Sequence, residues 1–101
     1  MKRIEEMNRD ELVFSAYSAY RNDMACLAES EEAAMHEAMK TSTEDLRAYL
    51  VDNADYVEEI IQYKGVSATM DGGRFLILWD DTEKWFDDMA SLVEFIDREV
   101  R

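Results

Sequence analysis

His36 is the only histidine in the chain and follows Glu32 by four residues, a spacing that stacks two metal-ligating side chains on one helical face. Zinc also needs a third protein ligand and outer groups that orient the first ones, and no other cluster supplies them. Cys26 is the single cysteine, which excludes an internal disulfide and a Cys/His zinc site and leaves a small, half-buried apolar side chain. Serine and threonine nucleophiles need a base, yet His36 lies among helix-surface charges, and no G-x-S-x-G, P-loop or G-x-G-x-x-G motif occurs. Acid/base chemistry by paired carboxylates requires one carboxyl group with a raised pKa in an apolar pocket. With 24 acids, pairs can be drawn almost anywhere, and only Glu31 falls on an apolar stripe, from which a helix bend would remove it. The sequence predicts no catalytic residue, no metal and no cofactor, hence a protein that is not an enzyme.

What remains is binding, and charge limits the partner. The 101 residues carry 24 acidic against 11 basic side chains, a net charge of −13. Direct contact with nucleic acid or anionic membrane needs lysine and arginine, so both are excluded as ligands. Apolar residues at 48% suffice for one core, which predicts a single compact acidic domain over 1–101. Met1-Lys2-Arg3 gives way to Glu5-Glu6 without the apolar run of a secretory leader, and no spanning apolar segment occurs; a cytoplasmic protein is expected.

The elements that must position these charges are legible from capping and periodicity. Asn8 and Glu11 have capping-box spacing, with Met7 and Leu12 as the flanking staple, so a helix should begin near Arg9. Val13, Ala16, Tyr17, Tyr20, Met24 and Leu27 form its apolar face. A break near Ser30, a new N-cap, then precedes Ala34, Met35, Ala38 and Met39. Thr41-Ser42-Thr43-Glu44 starts the next helix and Gly65 stops it, predicting one helix of about 22 residues through Asp52-Asn53-Ala54-Asp55. After Gly65 the period becomes two: Val66, Ala68 and Met70, the turn Asp71-Gly72-Gly73, then Arg74 to Asp80 with Phe75, Ile77 and Trp79 on one side and Leu76 and Leu78 on the other. Asp80-Asp81-Thr82 turns into a short third strand, Glu83 to Phe86, unless Thr82 caps a helix directly. Met89, Leu92, Val93, Ile96 and Val100 define the closing helix. The fold class is α+β: two or three N-terminal helices, a hairpin or three-stranded antiparallel meander, and a C-terminal helix.

Laid on these elements, the acids form two arrays. Asp45, Asp52, Asp55 and Glu59 share the outer face of the long helix, with spacings of about one turn that approach those of successive phosphates. Asp80, Asp81, Asp87 and Asp88, with Glu83, gather around the last turn, and few basic residues compensate them. Tyr56 and Trp85 are aromatic anchors amid the carboxylates. Leu76 and Leu78 form a second apolar sheet face that needs a helix, a partner or another copy of the chain, a homodimer.

Gly72-Gly73, Phe75, Phe86 and Leu92-Val93 resemble the end of an SH2 domain in outline. That family's phosphate-binding arginine has no counterpart, because the chain before them reads as helix. In size, acidity and layout the whole chain resembles the small acidic inhibitors that phages and mobile elements use against bacterial defence, the anti-CRISPR and anti-restriction DNA mimics, although no motif is shared. The resemblance implies a non-enzymatic inhibitor that occupies the basic nucleic-acid groove of a defence nuclease or surveillance complex in the host cytosol. An immunity protein or antitoxin covering a basic nuclease toxin would use the same electrostatics, and a homo-oligomer through Leu76 and Leu78 is the alternative from another class.

Overall fold

The computed structural model describes residues 3–23, 30–53, 60–71 and 73–100. The chain is α+β and divides into two compact units, residues 1–59 and 60–101.

In the first unit a 3-10 turn at Ile4–Glu6 precedes α1 (Arg9–Asp23), α2 (Ser30–Lys40) and α3 (Thr43–Asp52). α1 begins where its capping box places it. The Asn8 amide donates to Glu11 Oε1 at 3.0 Å and the Glu11 amide to Asn8 Oδ1 at 2.9 Å. Met7 and Leu12, the staple pair, are both buried. The apolar face is wider than its periodicity predicts, since every residue from Glu11 to Tyr17 is buried, and Ala19 with them. A helix covered on all sides belongs at the centre of its unit, and α1 contacts both α2 and α3. Ser15, fully buried on this helix, donates Oγ to Met7 Sδ at 3.7 Å.

The break expected near Ser30 is present: α1 ends at Asp23 and α2 starts at Ser30. Met24, Cys26 and Leu27 lie outside the described residues. Arg9, at the start of α1, spans to the end of α2. Its guanidinium donates to Met39 O at 2.7 Å, Thr41 O at 2.9 Å and Thr43 Oγ1 at 3.2 Å. Carbonyls near a helix C-terminus lack intrahelical donors and carry partial negative charge, which a forked cation satisfies well. Ser42 caps α3, accepting from the Asp45 amide at 3.2 Å, and Leu46 and Leu50 fill its buried side.

α3 stops at Asp52, with Asn53 as C-cap, so the single helix predicted up to Gly65 does not form. Ile60–Tyr63 is instead a strand, β1. Four residues that place Ile61 and Tyr63 inward and Ile60 and Gln62 outward fit alternation as well as a helical wheel. Lys64 and Gly65, at φ 52° and 82°, form a two-residue turn with positive φ at both positions, not a helix stop.

The second unit is therefore a four-stranded antiparallel meander in the order β1 (Ile60–Tyr63), β2 (Val66–Asp71), β3 (Arg74–Trp79), β4 (Thr82–Phe86), followed by α4 (Met89–Glu99). Asp80 and Asp81, at φ 50° and 61°, make the β3–β4 turn, and Thr82 opens β4 in preference to capping a helix. Ile61, Tyr63, Val66, Ala68, Phe75 and Ile77 are buried on the inward face. α4 lies on that face. Phe95 meets Trp79 edge-on at 5.5 Å and Phe86 at 5.6 Å, while the Tyr63 hydroxyl donates to Asp97 Oδ1 at 2.8 Å. Met89, Leu92, Val93 and Ile96 are the buried stripe of α4, each worth roughly 1.5–3 kcal/mol relative to exposure.

Candidate partner-binding surfaces

Of the first acidic array, Asp45 and Asp52 fall within the described residues. Asp45 and Asp52 are both exposed on α3, seven residues and so about 10.5 Å apart along the axis. α3 ends there, and Asp55, Tyr56 and Glu59, the remaining members named with this face, lie outside the described residues. The outer face of α3 also contains Val51, 67% exposed, which interrupts the expected run of carboxylates. Asp45 sits in the first turn, where the helix dipole favours an anion, and Asp52 in the last, where it does not. Among the described residues no ion pair involves either one.

The second array is not one cluster. β4 runs between the Asp80-Asp81 turn and Asp87-Asp88, and the six extended steps from Asp81 to Asp87 separate the two pairs by about 20 Å. Two of the four are also occupied. Asp87 accepts from Arg74 Nε at 3.2 Å, and Asp88 caps α4 by accepting the Ser91 amide at 2.7 Å. Capping removes an orphan amide at the helix start, a local task that consecutive Asp-Asp before an apolar period conceals. Asp80 and Asp81 stay exposed, and Asp80 borders a groove of about 370 Å³ with Trp79, Thr82, Lys84, Phe95 and Glu99.

The outward sheet face unites residues that sequence reasoning kept apart. Leu76 and Trp85 are directly opposite one another across β3 and β4. Their row continues through Thr69 on β2 to Ile60 on β1, crossing all four strands. Leu78, opposite Glu83, lies in the next row. Trp85 is thus part of the Leu76/Leu78 face. Ile60, Thr69 and Arg74 are the members not anticipated. The Lys64-Gly65 dipeptide after a β-branched pair is the signal that could have placed Ile60 there. The Arg74 guanidinium sits 5.0 Å from the centre of the Trp85 ring and links the indole to Asp87.

Other chemistry-bearing residues stay dispersed. Glu32 and His36 are exposed on α2, and among the described residues no three acidic, histidine or cysteine side chains group as a metal site. Tyr17, buried in α1, donates to Glu31 Oε2 at 3.5 Å. Burial raises its pKa well above the usual tyrosine value, the Glu31 carboxylate adds to this, and Arg21, 3.9 Å from Glu31, opposes it. Glu31 itself is half-buried. No helix among the described residues is long and apolar enough to cross a membrane. No protein-family model matches the chain, and neither a curated protein nor a solved structure matches it.

Proposed function

We propose that the chain is a non-enzymatic inhibitor of the anti-CRISPR or anti-restriction kind, which binds a basic nucleic-acid-binding surface on a defence nuclease or surveillance complex. The observation that supports this reading most is the exposed negative charge on both units: Glu44, Asp45 and Asp52 on α3, and Asp80, Asp81 and Glu83 beside the β3–β4 turn. Such charge lowers stability through self-repulsion and gives fast, salt-sensitive encounter with a lysine- and arginine-lined groove. Carboxylates there take the places of phosphates, as the −13 net charge permits and as direct nucleic-acid binding does not.

The test is competition. A panel of purified defence nucleases and surveillance complexes is loaded with labelled DNA and titrated with this protein at two salt concentrations. Displacement of DNA and loss of cleavage by at least one member, weakening steeply with salt, is the expected result. Retention of DNA and of full cleavage across the panel rejects the reading.

A further inference from the structure

We propose that the outward face of the sheet, centred on Leu76, Leu78 and Trp85, docks a protein surface that presents apolar side chains bordered by lysine and arginine. This deepens the preceding reading and rests on it, since it assigns the contact of a basic partner to one face and gives that contact an apolar centre.

An antiparallel sheet covered on one side by a helix ordinarily shows polar side chains on the other. Here Leu78 is 65% exposed, Ile60 56% and Trp85 38%, and the row from Ile60 through Leu76 to Trp85 crosses every strand. Such a patch costs solubility unless something covers it. The geometry also favours one orientation of its largest member. Arg74 lies against the Trp85 ring and donates to Asp87 at 3.2 Å, so the indole is biased toward this pose before a partner arrives. Pre-ordered aromatic side chains at the centre of a polar rim are the usual anchors of protein interfaces.

The rim selects the occupant. Asp71, Glu83 and Asp87 lie on this face with Arg74 as its one cation among the described residues, and Asp80 and Asp81 stand at its end. A second copy would set these carboxylates against their own duplicates and join two chains of −13 each, an arrangement that like-charge repulsion opposes. A nucleic acid meets the same repulsion and offers no apolar complement. A basic protein surface with leucine- or valine-like side chains at its centre satisfies both the row and the rim.

The probes are three heptapeptides, one alternating lysine and leucine, one of lysine alone and one alternating serine and leucine. Each is titrated into the intact protein while the Trp85 indole N–H is followed by NMR at about 150 mM salt. Expected is binding of the lysine/leucine peptide about tenfold tighter than either control, with a shifted Trp85 signal. Leu78→Lys and the milder Leu78→Ser should each weaken it about tenfold while leaving the circular dichroism spectrum unchanged, and Glu37→Gln, an exposed carboxylate of α2 outside both proposed contacts, should weaken it less than about twofold. The proposal is overturned, with the basic-partner reading intact, if heptalysine binds equally well, is weakened by Asp45→Asn and ignores Leu78→Lys. It is overturned in favour of a second copy if sedimentation shows a dimer that Leu78→Lys dissolves. Equal binding of the serine/leucine peptide removes the selection for basic partners, and no binding of either lysine peptide removes this proposal, while the reading beneath it stands or falls by the DNA-competition panel.

Discussion

Asp87 accepts a hydrogen bond from Arg74 across the open end of the β3–β4 ladder, at 3.2 Å, while its neighbour Asp88 turns to the first amides of α4. Two adjacent carboxylates of the same type thus serve different purposes. One steadies the cation that lies against Trp85, and the other starts a helix.

These purposes predict different costs. Asp88→Ala should destabilise the second unit by about 1 kcal/mol, because the Ser91 amide loses its acceptor. Asp87→Asn should cost no more than about 0.5 kcal/mol, since the pair with Arg74 is largely solvent-exposed and screened. Urea unfolding followed by circular dichroism measures both. Equal losses for the two substitutions contradict the division of roles.

Arg9 predicts a sharper contrast in the first unit. Its fork reaches two carbonyls and one hydroxyl around the α2–α3 junction. Arg9→Met keeps the stem and removes the donors, so a loss of about 1–2 kcal/mol is expected, typical of charged hydrogen bonds to partly exposed groups. Arg9→Lys should recover less than half of it, because one ammonium cannot reproduce a planar fork. Full recovery by lysine would show that charge alone matters at this junction.

Residues that act locally were the ones readable in the sequence. Asn8 and Glu11 satisfy each other within one turn, Ser42 caps α3 three residues from the amide it serves, and the alternation of β3 needs no distant information. Two things were hidden, each for a physical reason. Gly65 suits a helix stop and a hairpin turn equally, because both need positive φ, and only pairing with β2 decides that Ile60–Tyr63 is a strand. The candidate surface was hidden for the same reason. Asp80 and Asp88 are close in number but separated by an extended strand, whereas Leu76 and Trp85 are nine residues apart and face to face. Register, which the sequence does not state, sorts both pairs.

The buried hydroxyl of Tyr17 predicts an alkaline effect. Its pKa is raised in the folded protein by burial first and by Glu31 second, so the native state holds the phenol proton more tightly than the unfolded chain does. This contribution is fully present below the ordinary tyrosine value of about 10 and declines as pH rises above it toward the folded value. Tyr17→Phe should therefore narrow the loss of stability between about pH 9.5 and 11, relative to its own value at neutral pH. Parallel stability curves for the two proteins across that range would rule out Tyr17 as a source of the decline.

Asp80 and Asp81 allow binding to be separated from folding. Both residues adopt positive φ, at 50° and 61°, in a two-residue hairpin turn for which Asn-Gly is the most favourable pair. Asp80→Asn combined with Asp81→Gly should raise stability by roughly 0.5–1 kcal/mol through relief of left-handed strain and of mutual repulsion. The same double substitution removes two exposed carboxylates from the end of the sheet that the proposed function places against a basic groove. Inhibition should weaken about three- to tenfold, chiefly through a slower association rate at low salt. A protein that melts at a higher temperature yet inhibits less well cannot owe its loss to misfolding. Unchanged inhibition in that better-folded variant would exclude the β3–β4 turn from the contact.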